Sequence, residues 1–212
     1  MDHHPLPKAP VADSQGESPA TELPPKKNGF IGDLLDYLGI IVLAICLVLS
    51  LFSFSGLRLC TVDGASMENT LYHQERLVTW GLFYTPERND IVVFHQTSES
   101  GSRFDEPIVK RVIGVPGDTV HINYLTWTVS VTDSEGNVTV LDEPYRKVVD
   151  YNPYGGAVAT YYVEEGTVFV MGDNRNHSAD SRDPDIGLVD QRRILGKVIL
   201  RLTPISRFGA VS

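Results

Sequence analysis

Three short stretches of this chain carry side chains able to do nucleophilic or acid–base chemistry. The first is Val62-Asp63-Gly64-Ala65-Ser66-Met67-Glu68-Asn69-Thr70-Leu71. A serine set among small residues such as Gly64 and Ala65 can be approached closely by backbone, which suits a nucleophile beside its oxyanion donors. The same residues equally read as a Ser/Asn turn leading into a strand at Glu75. The second is Lys110 within Ile108-Val109-Lys110-Arg111-Val112-Ile113-Gly114-Val115. A strand alternates its faces, so Lys110 keeps company with Ile108 and Val112, and Arg111 with Val109 and Ile113. Burial of a lysine on an apolar face depresses its pKa, and a neutral amine can take the proton of a serine hydroxyl. A guanidinium stays protonated and cannot. The alternative is a half-exposed strand edge that snorkels both cations. The third runs from Gly172 to Asp183, where Asp173, Arg175, Asp180 and Arg182 offer an ion-pair scaffold able to hold Ser178 or His177 at a site. With an aspartate to orient it, His177 admits a Ser-His-Asp reading. A solvated loop is the plain alternative.

These stretches need a frame to position them. Seven runs rich in Val, Ile, Tyr and Phe read as strands: 75–80, 90–95, 108–115, 119–123, 126–132, 167–172 and 196–202. Val115-Pro116-Gly117-Asp118 is a turn, since Pro presets one φ and Gly supplies a positive one at the next position. Asp133 to Asn137 reads as a hairpin connection. Many short strands with few helical patterns define an all-β domain over residues 58–212.

Upstream, Tyr37 to Leu57 is 21 residues without a charge. As a helix that run spans about 31 Å, against a hydrocarbon core of roughly 30 Å. A cleaved signal peptide is the alternative, with Ser53-Phe54-Ser55 before Gly56 as a small-x-small site. The run exceeds a signal core of about 7–15 residues and follows a long tail, so residues 29–57 read as a retained transmembrane anchor. Lys26 and Lys27 at one end, against Arg58 and the more distant Arg76 at the other, favour the N-terminus inside. Residues 1–28 hold six of the 13 prolines and few large apolar groups, and read as a disordered tail in which His3 and His4 are incidental.

Composition removes several classes of function. With 18 Lys+Arg against 27 Asp+Glu, the net charge of −9 argues against nucleic acid as a partner. Of that charge, −1 lies in residues 1–28, −2 in 29–57 and −6 in 58–212. Two cysteines, Cys46 and Cys60, make neither a disulfide framework nor a thiolate metal site. The chain has no His-x-x-x-His pair, no phosphate-binding Gly-rich loop and no calcium loop. Asn137-Val138-Thr139 and Asn176-His177-Ser178 fit the glycosylation triplet without other support.

In this order, the apolar span followed by GASMENTL, DIVVFH, IVKRVIGVPGD and MGDNRNHSADSR resembles the type I signal peptidases, membrane-bound Ser/Lys serine proteases. The resemblance covers most of residues 37–202. It implies an antiparallel β-sheet catalytic domain with a small β cap lobe inserted at 118–165. It places the nucleophile on Ser66, the general base on Lys110 and the serine that orients the amine on Ser178. The bracing pair falls on Asp180 and Arg182, with Asp173, Asn174 and Arg175 in the same loop. His177 has no catalytic place in it, so the Ser-His-Asp reading is dropped. It further implies no metal or organic cofactor, signal-peptide-bearing preproteins as partners alongside the lipid bilayer, and cleavage after small residues of Ala-x-Ala type. The expected location is the cell membrane, single-pass, with the catalytic domain outside.

Two departures stand out. Asn69 precedes Thr70 where the family usually has Pro. Gly64 stands where some members carry a serine hydroxyl as oxyanion donor, which leaves that task to backbone N–H groups such as that of Ser66. The rivals are a Ser/Lys protease dedicated to one substrate, a soluble self-cleaving repressor-type protease, and a non-catalytic membrane-tethered peptide-binding module. The span disfavours the second, and the joint presence of Ser66 and Lys110 disfavours the third.

Overall fold

An apolar run with no polar face cannot settle on a protein core by one side only, and here it forms a helix that is exposed all round. The computed structural model describes residues 29–54, 56–96, 106–149 and 156–211. The tail expected at 1–28 and Ser55 of the small-x-small site lie outside them. Helix α1 (Phe30–Phe54) begins ahead of the uncharged run, with Asp33 in its first turn, where the helix dipole favours an anion. Ile40 and Leu43 are exposed like most of its apolar side chains. Its 21-residue stretch Ile31–Leu51 has a mean hydropathy of 2.6, long and apolar enough to cross a membrane. Gly56, at φ +71, follows the helix, and Leu57, last residue of the uncharged run, already belongs to a strand.

The remainder is antiparallel β structure. The larger sheet runs in the order β1 (Leu57–Thr61), β2 (Arg76–Trp80), β11 (Ile194–Thr203), β3 (Ile91–Phe94), β4 (Ile108–Gly114), β9 (Thr167–Met171) and β10 (Val189–Asp190). A short β12 (Gly209–Ala210) pairs with β11. The smaller sheet has the order β7 (Val138–Val140), β6 (Thr128–Thr132), β5 (Thr119–Asn123) and β8 (Val158–Tyr162). In β5 and β6 the residues alternate strictly in burial, so Val120, Ile122, Val129 and Val131 all face one core with Trp127 and Phe169. Burying each such aliphatic side chain contributes about 1.5–3 kcal/mol.

The sequence turn at 115–118 forms as its residue types require. Gly117 has φ +86, the Asp118 N–H reaches the Val115 carbonyl at 3.0 Å, and the Asp118 carboxylate accepts from the Val115 N–H at 2.8 Å. Strand β4 lies between β3 and β9 and is therefore no edge. Both of its cations are buried, Lys110 at 3% exposure and Arg111 at 1%, so neither snorkels. Each must then find partners inside the domain.

Candidate active site

The stretch after β1 turns tightly on itself. The Glu68 N–H reaches the Ala65 carbonyl at 3.2 Å, and the Thr70 and Leu71 N–H groups reach the Met67 carbonyl at 2.9 and 2.8 Å. Met67 and Leu71 are the apolar plugs that fix this turn, buried with Leu77, Ile91 and Val198. Ser66, just ahead of the first plug, is gripped from the loop after β9. The Asn174 N–H donates to the Ser66 carbonyl at 3.0 Å, and the Asn174 side-chain amide donates to the Ala65 carbonyl at 3.0 Å.

Lys110 sits opposite Val92 in the β3–β4 register. Its Nζ lies 2.7 Å from Ser66 Oγ and 2.9 Å from the Val109 carbonyl oxygen. Among the described residues, no carboxylate touches it. Burial pushes its pKa down from 10.5 to about 8; the Arg182 charge adds to that fall, while Asp180 and Asp173 oppose it. An amine in this range is partly neutral near pH 7.5, whereas a free lysine is neutral in only about one part in a thousand.

The loop 172–183 is knit together by buried ion pairs. Asp180 and Arg182 are fully buried and doubly hydrogen-bonded, at 2.7 Å for both Nε and Nη2. Asp180 also accepts the Gly172 N–H at 2.9 Å. Burial works to raise the Asp180 pKa, but the Arg182 charge and these hydrogen bonds outweigh it and hold the carboxyl below its ordinary value. Asp173 takes two bonds from Arg111, each 2.9 Å, and one from the Thr70 hydroxyl at 2.5 Å. Arg175 is buried against the Glu143 carboxylate. The solvated-loop alternative therefore does not describe 172–183.

Ser178 stands beside these groups without bonding to Lys110 among the described residues. Its Oγ donates to the Ala179 carbonyl at 3.5 Å, and its hydroxyl adds a small pull that lowers the Asp180 pKa. Gly172 explains the close packing there, because a Cβ at that position would collide with Ser178 Oγ and with the Ser66 carbonyl oxygen. His177 is exposed at the rim, its N–H turned to the Asn174 carbonyl at 3.0 Å. Gly64, at φ +88, donates its N–H to His73 Nδ1 at 3.3 Å, and nothing fills the space where its side chain would be. Among the described residues the Ser66 N–H has no protein acceptor, as an oxyanion donor requires.

A cleft of about 770 Å³ opens over the pair, lined on one side by residues 59–67 and on the other by 106–110. Among the described residues, no group of three or more His, Cys, Asp or Glu side chains could hold a metal ion. Sequence reasoning missed Glu143, Tyr145 and Lys147, which reach the site only through the fold. It placed Arg111 on the strand without its partner, Asp173. The one local signal was the density of Glu, Tyr, Arg and Lys in Glu143-Pro144-Tyr145-Arg146-Lys147.

A serine hydroxyl against a buried amine of lowered basicity, on an antiparallel β frame with paired scaffold charges, has the makings of a serine hydrolase whose base is a lysine. Comparison with known proteins gives the family. Residues 34–203 match the family described as "Signal peptidase, peptidase S26". The chain is 34% identical over 159 residues to a Synechocystis sp. protein named "Probable signal peptidase I-2", covering 71% of this chain and 65% of that one. It is 28% identical over 207 residues to "Signal peptidase I" of Leptolyngbya laminosa, covering 92% and 95% of the two chains. With "Signal peptidase I" of Bacillus licheniformis the identity is 34% over 180 residues, 81% of this chain and 87% of that one. The chain belongs to the signal peptidase I family of membrane-bound serine proteases.

Proposed function

We propose that this protein is a membrane-anchored serine endopeptidase that removes N-terminal signal peptides from exported preproteins, with Ser66 as nucleophile and Lys110 as general base. The observation that carries the reading is the 2.7 Å approach of Ser66 Oγ to an amine that, among the described residues, has no carboxylate partner. Neutral Lys110 takes the hydroxyl proton as Ser66 Oγ attacks the scissile carbonyl carbon. The Ser66 N–H faces the oxyanion. Lys110 then gives its proton to the departing amine, which leaves with the mature protein and an acyl-enzyme behind it. Water enters, Lys110 takes its proton, and the resulting hydroxide releases the signal peptide as a carboxylate and restores Ser66.

The substrate lies extended in the cleft between residues 59–67 and 106–110, where a peptide backbone can pair with extended chain. Val62, Val93 and Ile108 line this cleft and favour small apolar side chains of Ala-x-Ala type at the positions before the cut. Ser178 and the Asp180–Arg182 pair hold the lysine's surroundings in place, Ser178 through Asp180. The anchor crosses the cell membrane once, with the N-terminus inside and the β domain outside, so that the cleft meets a cleavage site emerging from the bilayer. The test is cleavage of a preprotein by the full-length protein beside Ser66→Ala. Loss of cleavage in the variant with normal folding supports the reading; undiminished cleavage refutes it.

A further inference from the structure

The segment Glu143–Lys147, between β7 and β8, turns through an Arg146 N–H bond of 3.1 Å to the Glu143 carbonyl and meets the candidate site with Glu143, Tyr145 and Lys147. The Glu143 carboxylate, 2% exposed, accepts from Arg175 Nη1 at 3.1 Å and from Nη2 as well. The Tyr145 ring lies 3.8 Å from the Arg111 guanidinium, which is bidentate to Asp173. Lys147 joins the loop after β9 by backbone on both sides. Its N–H reaches the Asp173 carbonyl and its carbonyl receives the Arg175 N–H, each at 2.8 Å, forming a parallel bridge opposite Asn174. Asn174 is the residue that holds the carbonyls of Ser66 and Ala65. The Lys147 ammonium also reaches the Glu68 carboxylate, two residues beyond Ser66, at 2.6 Å. The segment is therefore one contact away from the Ser66 backbone by two routes.

Resting on the Ser66/Lys110 reading, we propose that Glu143–Lys147 is a positioning strap that sets Ser66 Oγ against Lys110 Nζ, with Tyr145 and Lys147 as its positioning residues. Among the described residues, none of the strap lines the cleft, so it acts on turnover and leaves substrate binding alone. Its leverage comes from the sensitivity of a proton transfer to small displacements. The aromatic face over Arg111 supplies one anchor and does not depend on the tyrosine hydroxyl.

The test uses the full-length protein in lipid vesicles, cleaving a preprotein well below its unfolding temperature. Tyr145→Ala lowers kcat roughly tenfold with KM within about twofold, and Tyr145→Phe recovers most of the loss. Lys147→Glu and Glu68→Lys each lower kcat about threefold, and the double exchange restores it, a rescue that loss of folding would not show. Wild-type kcat in Tyr145→Ala and Lys147→Glu overturns the strap. So does a loss confined to KM, a Tyr145→Phe protein as impaired as Tyr145→Ala, or a double exchange no better than either single. Ser66→Ala runs alongside: if it still cleaves, the underlying reading fails and the strap with it, whereas an inactive Ser66→Ala beside unimpaired strap variants overturns the strap alone.

Discussion

Lys110 holds its place against its own desolvation. Its pKa falls from 10.5 to about 8, so between those values the unfolded chain binds more protons than the folded one. Stability therefore rises with pH across that window, and below about pH 8 the full penalty applies. Lys110→Met removes the penalty, and at pH 7 it should raise the unfolding free energy by about 1–3 kcal/mol while abolishing cleavage. Chemical denaturation of the two proteins checks this, and a less stable Lys110→Met contradicts it. Asp180 shows the opposite economy: Asp180→Asn removes the carboxylate that pairs with the buried Arg182 at 2.7 Å and should destabilise by about 3–5 kcal/mol. The residue types in these stretches were legible because chemistry restricts them. A lysine among Ile and Val, or Asp alternating with Arg in a dense loop, has few plain uses. The partners were not legible. Arg111 with Asp173 spans 62 positions and Lys147 with Glu68 spans 79, separations across which no local pattern operates.

At the scale of elements, β4 presents Lys110 and Arg111 to opposite sides, and the turn at 65–71 meets the loop after β9 at Gly172. The contact there leaves no room for a methyl group. Gly172→Ala should push Ser178 and the Ser66 carbonyl apart and lower kcat/KM by about a hundredfold. Steady-state kinetics on the folded variant decides it, since an unchanged kcat/KM would show that the turn yields without moving Ser66. Strands with a run of Val, Ile or Phe bounded by turn residues were visible in sequence: β5 occupies Thr119–Asn123 as read, and β3, β4, β6 and β9 begin or end within two residues of it. β11 extends beyond its reading at both ends, because pairing with β2 and β3 draws in Ile194 and Thr203. β1 was hidden because Leu57 prolongs the apolar run ahead of it. β7 is three exposed residues, and β10 and β12 are two residues each, made by their partners alone. β8, Val158–Tyr162, was not among the runs read as strands and is held by β5.

For the whole molecule, an apolar helix exposed on every side is joined to an antiparallel β domain that holds Ser66 Oγ 2.7 Å from Lys110 Nζ. The full-length protein should stay in the membrane after alkaline carbonate washing with α1 still attached; N-terminal sequencing that begins at Gly56 would restore the signal-peptide alternative. In intact cells, external protease should reach residues 58–212, and protection of that domain would reverse the proposed orientation. The central claim, that Lys110 is the base for Ser66, is tested most directly by the pH dependence of kcat/KM for preprotein cleavage in lipid vesicles, with wild type beside Lys110→Arg. The wild-type rate should rise through an ionisation of about 8, well below that of a free lysine, and level off above it. Lys110→Arg keeps the charge but cannot shed its proton, so it should show no cleavage at any pH up to 10. Near-wild-type turnover by Lys110→Arg would contradict the account and return His177 as the candidate base.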